Sequence, residues 1–204
     1  MKKLNMCAKR SGNSSVSELE GVFIHPQAIV ESKNIGKGTR IWAFVHILKG
    51  ARIGCNVKIG DHCFIENNVT IGDNVVIKNG ISIWDGIIIE DGAFLGPNVV
   101  LTNELFPRTG FPKGLERTII KKGATIGANS TIITGITLGE YCTIGAGSVV
   151  TKDVLDHALM FGNPAKQKGW VCECGLKLIF SKDHISKCSC GKVFTDEGDS
   201  IKHI

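Results

Sequence analysis

The sequence predicts an all-β fold, a triangular parallel β-helix, on three observations. A large apolar residue recurs at every sixth position, from Phe23, Ile29, Ile35 and Ile41 through to Leu95 and Leu101. Four residues after most of these comes a small or β-branched residue, as in Thr39, Val45, Ala51, Val57, Cys63 and Val69. The large residue is often followed by Gly-Asp, Gly-Lys or Gly-Ala with asparagine close behind, as in Ile71-Gly72-Asp73-Asn74. A period of six is neither helical nor simple strand alternation, and fixed-period self-similarity marks a solenoid. Each hexad reads as a very short strand and a corner, where glycine and asparagine supply positive φ. Three hexads close one triangular turn, and stacked turns pair through backbone hydrogen bonds. The six-residue column from Phe23 onward then fills the interior.

Taken in order, residues 1–20 are polar and carry no period, which predicts a flexible arm. Residues 21–168 form the β-helix domain. Its register breaks after Leu101 and resumes at Ile120, Ile126, Ile132, Leu138, Ile144 and Val150. The stretch 102–119 has no hexads and contains Pro107, Gly110, Pro112 and Gly114, so it reads as an extruded loop. Long loops on regular scaffolds usually carry function. Residues 169–204 differ in composition, hold four cysteines and form a separate tail.

Composition narrows the function classes. Hydrophobic content of 43% with 21% charged residues is that of a folded chain rather than a disordered one. The net charge of +5 is scattered, not striped, which argues against nucleic acid as a partner. A polar residue or glycine interrupts every hexad, so no stretch reads as a membrane span. The polar run Lys9–Ser17 stands where a signal peptide would be apolar, and the expected location is the cytoplasm. Eight cysteines in a reducing compartment are thiols or metal ligands before they are disulfides.

The hexads resemble those of the hexapeptide-repeat acyltransferases, over roughly residues 22–168. That resemblance implies a left-handed helix, a handedness the periodicity alone does not give. Within that superfamily the chain is similar to the bacterial nucleotide-sugar 3-N-acetyltransferases. The residues that carry the likeness are His25-Pro26, Arg40 to His46, Ser82-Ile83-Trp84-Asp85, Leu95-Gly96-Pro97-Asn98, Thr102-Asn103, Pro107-Arg108 and Gly162-Asn163-Pro164-Ala165. It implies acetyl-CoA as cosubstrate and a UDP- or dTDP-linked 3-amino sugar as acceptor, in the synthesis of surface polysaccharide such as O-antigen. It also implies a homotrimer with acetyl-CoA between neighbouring β-helices.

Acyl transfer from a thioester needs a nucleophile, a route for its proton and donors for the developing oxyanion. No histidine lies between His62 and His157, so the loop region lacks the base that a hydroxyl acceptor requires. A neutral amine is already nucleophilic, and the missing histidine therefore favours N-acylation. Asn103 matches the asparagine that positions the sugar in the related enzymes; its amide either orients the amine or only caps the loop. Arg108 offers a fork for a diphosphate or carboxylate, or is an exposed surface arginine. Trp84, with Asp85, follows an interior position and points outward, either into a subunit interface or against the nucleotide base. Asn98 belongs to the same substrate-binding set. His46 and His62 read as corner or interface residues. On the cofactor side the resemblance implies a groove lined by Gly127, Ala128, Gly145 and Ala146, with Lys121, Lys122 and Lys166 for the CoA phosphates. An O-acetyltransferase using a histidine from a neighbouring subunit, and a non-catalytic scaffold, are the alternatives.

Cys172-Glu173-Cys174-Gly175 and Cys188-Ser189-Cys190-Gly191 resemble the two knuckles of a zinc ribbon, with Cys172, Cys174, Cys188 and Cys190 as ligands of a structural zinc. One residue, not two, separates each pair. The alternative is a reduced β-hairpin without metal. Cys55, Cys63 and Cys142 sit at corner or small-residue positions and read as packing.

Overall fold

In the computed structural model, which describes residues 20–111, 114 and 116–204, most hexads form strands of two or three residues. The expected N-terminal arm lies outside the described residues, apart from Glu20. One face of the triangle carries eight parallel rungs, from Phe23–Ile24 through Arg40–Ile41, Lys58–Ile59, Val76–Ile77, Phe94–Leu95, Thr125–Ile126 and Thr143–Ile144 to Ala158–Gly162. A second face stacks Ile29–Val30, His46–Ile47, Phe64–Ile65 and Ser82–Ile83, followed by Val100–Leu101, Thr131–Ile132 and Val149–Val150. The third stacks Arg52–Ile53, Thr70–Ile71, Ile87–Ile89, Thr118–Ile120 and Thr137–Leu138. Partners on successive turns are 18 residues apart, as in Ile41 with Ile59 and Ile59 with Ile77.

The last residue of each short strand, isoleucine in most and leucine or valine in the rest, points inward and is almost wholly buried from Ile41 to Val150. The small companions Val45, Ala51, Val57, Cys63, Val69 and Ala93 are equally buried, because they line the inner side of the corners. Burial of each isoleucine is worth about 1.5–3 kcal/mol. The first turn departs from the six-residue pattern. Phe23 and Ile29 are 42% and 60% exposed, whereas Ile24 pairs with Ile41 and Val30 with Ile47. The step from Val30 to Ile35, which bridges to Ile53, is one residue short, so the interior set of the first turn is Ile24, Val30 and Ile35.

The corners need positive φ. Asn56, Asn74, Tyr141 and His157 line one edge, and Phe44, His62, Asn98 and Asn129 another, all with φ between 55° and 63°. Asparagine adopts this conformation readily; aromatic residues do so only when the surrounding ladder holds them.

Ile89 pairs with Ile120, 31 positions on, where regular partners such as Ile71 and Ile89 are 18 apart. The loop is therefore inserted within one turn without shifting the rungs on either side. Past the last rung the chain turns back. Strand Ala165–Val171 runs antiparallel to Ala158–Gly162 and then pairs with Lys177–Leu178, extending the first face to ten strands. The expected tail boundary at 168/169 falls inside Ala165–Val171. A three-stranded antiparallel sheet of Ile185–Lys187, Val193–Asp196 and Ile201–His203 follows, with Phe194 buried beneath it. Among the described residues no helix is long and apolar enough to cross a membrane.

Candidate active site

The loop leaves the second face at Leu101 and returns to the third at Thr118. Both ends are tied to one corner. The amide of Thr102 donates to the Ile132 carbonyl at 3.1 Å, and its hydroxyl accepts from the Thr134 amide at 2.9 Å. The Thr118 hydroxyl accepts from the Gly135 amide at 3.1 Å. Trp84, one turn away, donates its indole N–H to the Leu101 carbonyl at 2.7 Å. Its ring lies 6.0 Å from Phe64, which lies 5.6 Å from His46. An outward-facing aromatic ladder thus runs along the second face and ends at the start of the loop.

Asn103 follows this anchored threonine and is half-buried. Arg108 is exposed in a turn closed by the Phe111 amide donating to its carbonyl at 3.1 Å. Leu105, Phe106 and Phe111 expose 49%, 65% and 71% of their surface. Asp85 is occupied in the scaffold: its carboxylate accepts from the Asn68 amide at 2.6 Å, and its own amide donates to Glu66 at 2.7 Å. Asn98 is an exposed corner residue with φ 57°.

The histidines all lie outside the loop. His46 contacts Glu31 at 2.8 Å, His62 packs tilted against Phe44 with ring centroids 4.8 Å apart, and His157 lies between Tyr141 and Phe194.

The bacterial transferase hexapeptide family model matches residues 32–67, 68–103 and 117–152, and a hexapeptide-repeat model of succinyl-transferases matches 50–85. Chain and family share the six-residue repeat. This chain belongs to the hexapeptide-repeat transferases. Its helix is accordingly the left-handed parallel β-helix. A dTDP-3-amino-3,6-dideoxy-alpha-D-galactopyranose 3-N-acetyltransferase of Aneurinibacillus thermoaerophilus is 60% identical to the transferase over 177 residues, 86% of this chain and 92% of that one. The solved structure of a maltose O-acetyltransferase from Clostridium difficile 630 is 28% identical with a TM-score of 0.51, covering 57% of the transferase and 67% of its own chain. The polySia specific acetyltransferase NeuO, 24% identical with a TM-score of 0.52, covers 72% of this chain and 80% of its own, and shares the fold.

The residues expected to hold the cofactor divide between two edges of the transferase. Gly127 and Ala128 stack on Gly145 and Ala146 at the edge that follows the first face. There a Cβ on Gly127 would meet the Ala146 backbone, and one on Gly145 would run into the Phe161 ring. Lys166 pairs with Phe161 across the final hairpin and joins this edge. Lys121 and Lys122 sit at the preceding corner, on the other side of strand Thr125–Ile126. Lys121 pairs with Asp156 at 3.4 Å, and Lys122 lies over the Tyr141 ring at 6.0 Å. Lys122, Tyr141, Asn74 and Asp91 line a shallow groove of about 380 Å3 together with Glu173 and Gly175. The two sets are not brought together within one subunit.

Cys63 and Cys142 are buried at small-residue positions. Burial pushes the Cys63 thiol up, and that of Cys142 to about 12, away from the thiolate form. Cys172, Cys174, Cys188 and Cys190 do converge, all four Sγ atoms lying within 4.8 Å of one another.

Sequence reasoning passed over two groups. The Thr134 hydroxyl is buried beside the loop with no hydrogen-bond partner among the described residues. Phe161 packs over Gly145 at the end of the glycine edge. Thr134 falls between the strands of its turn, and Phe161 falls after the hexads end, so neither carried a periodic signal.

Proposed function

We propose that the transferase moves the acetyl group of acetyl-CoA to the 3-amino group of a nucleotide-linked 3-amino-3,6-dideoxyhexose, with dTDP as the nucleotide. The observation that carries this reading is 60% identity to an enzyme named for that reaction, across nearly the whole of both chains. The residue chemistry agrees with it. No histidine stands in residues 102–119, so the loop itself offers no base for a hydroxyl acceptor.

In the proposed reaction the lone pair of the neutral sugar amine attacks the thioester carbon. The carbonyl π pair moves onto oxygen, and its return expels the CoA thiolate by breaking the C–S bond. The nitrogen proton passes to solvent or to the leaving sulfur, which gives an amide and CoA-SH. Asn103 orients the amine or a neighbouring sugar oxygen, and Trp84 sets where Asn103 stands by holding the Leu101 carbonyl. Arg108 meets the diphosphate by a charge-assisted fork. Gly127, Ala128, Gly145 and Ala146 let the pantetheine arm lie against backbone, with Lys166 near its phosphates. Lys121 and Lys122 serve the cofactor only if a neighbouring subunit is beside them. The homotrimer is part of the same proposal, supported by the chain's membership of the hexapeptide-repeat transferases.

Release of CoA thiol in the presence of acetyl-CoA and dTDP-3-amino-3,6-dideoxygalactose tests the reading, with the 3-hydroxy sugar as comparator. Faster turnover of the hydroxy sugar would overturn it. Asn103→Ala is expected to lower kcat by about 10²-fold with the oligomer unchanged by light scattering; normal turnover would remove Asn103 from the mechanism.

A further inference from the structure

We propose that the C-terminal tail binds one structural zinc ion through Cys172, Cys174, Cys188 and Cys190, and that this ion clamps the end cap of the β-helix. The four sulfurs form a compact group, with Cys172 to Cys190 at 3.5 Å and Cys174 to Cys188 at 3.4 Å, and all within 4.8 Å. A tetrahedral zinc tetrathiolate has Zn–S bonds of about 2.3 Å and hence neighbouring sulfurs about 3.8 Å apart. The observed spacings bracket that value, and no other group of three or more histidine, cysteine or carboxylate ligands gathers this way among the described residues.

The backbone explains how a knuckle with one intervening residue reaches this geometry. In each knuckle the glycine amide donates back to the carbonyl of the first cysteine, Gly175 to Cys172 at 2.8 Å and Gly191 to Cys188 at 2.9 Å. The first cysteine's amide then bonds the residue beyond the glycine, Cys172 to the Leu176 carbonyl and Cys188 to that of Lys192, both at 2.8 Å. Both glycines have positive φ, 87° and 95°. This tight turn brings cysteines two positions apart to the same side, which a straight strand also does but without curling them around one point.

The surroundings suit a dianionic tetrathiolate. Lys192, next to the second knuckle, adds a positive charge and pairs with Glu173 in the first, tying the two together. A nearby positive charge offsets that of the thiolates. Four protein ligands leave no open coordination position, so the ion is structural and takes no part in acyl transfer. Cys172 and Cys188 are buried in the apolar cluster that includes Trp170, Leu178 and Phe194, and Cys172 directly follows strand Ala165–Val171 of the ten-stranded face. The ion therefore fastens the antiparallel tail to the last turns of the solenoid.

The test uses the full chain purified under reducing conditions without added chelator. Elemental analysis is expected to find about one zinc per chain, and cobalt(II) added to the metal-stripped protein is expected to give thiolate charge-transfer and tetrahedral d–d bands. Cys190→Ser, at an exposed ligand, is expected to lose more than about nine-tenths of the metal, whereas Cys142→Ala, at a buried cysteine outside the cluster, is expected to keep it. EDTA should lower the Tm of the parent protein and leave that of Cys190→Ser unchanged. Less than about half an equivalent of zinc with no thiolate bands from cobalt, or two disulfides by mass in place of metal, would overturn the proposal. So would equal metal loss in Cys142→Ala and Cys190→Ser.

Discussion

At the scale of single residues, the site depends on hydrogen bonds that no period encodes. Trp84 illustrates this. Its place after Ile83 says only that the side chain leaves the interior, and that left an interface and a stacking role both open. The indole N–H bond to the Leu101 carbonyl gives it a third role, that of fixing where the loop begins. Trp84→Phe keeps most of the ring contact with Phe64 but leaves that carbonyl without its donor, at a cost of about 1–3 kcal/mol. The expected outcome is a lower denaturant midpoint and faster amide exchange in residues 102–106 than in the rungs; unchanged exchange would separate the indole from the loop. Asp85 is the opposite case, because both its carboxylate and its amide are already used by Asn68 and Glu66.

At the scale of elements, the corners and the loop carry different constraints. Glycine at position 145 is required by close packing, since the Phe161 ring of the last rung, Ala158–Gly162, covers it. Gly145→Ala is expected to destabilise by about 1–3 kcal/mol through overpacking. In a double-mutant cycle the Phe161→Ala background should remove most of that cost, as read from urea midpoints; additive effects would mean the ring is not what confines the glycine. The loop obeys a different rule. Its two ends are pinned by Thr102 and Thr118 to the Thr134–Gly135 corner, so its insertion leaves the rungs in register. Thr102 was visible as the start of the aperiodic stretch, and Thr118 lies one residue inside its expected end at 119. Their shared anchor was not visible, because Thr134 and Gly135 lie a turn further along the chain.

At the scale of the whole molecule, stability is distributed along one column, and each turn contacts only its neighbours. Ile77 lies mid-column with Ile59 and Leu95 as partners. Ile77→Ala is expected to cost about 2–5 kcal/mol, measured by urea unfolding, because neighbouring turns held by rung hydrogen bonds cannot collapse into the cavity. A loss below about 1 kcal/mol would indicate a column loose enough to relax.

The sequence by itself determined the solenoid, its interior residues from Ile41 onward, the place of the inserted loop and the pairing of the cysteine knuckles. These are local matters: a period of six and a run of turn residues act on neighbours along the chain. The first turn escaped that reading because one short corner shifts Phe23 and Ile29 outward, and a fixed period does not register a single missing residue. Only the tertiary structure decided that the lysines expected at the cofactor stand on two edges, that Trp84 holds the loop, and that four thiols meet at one point. Each of these joins residues 14 or more positions apart, whose meeting is set by the stacking of turns and the return of the final hairpin over them.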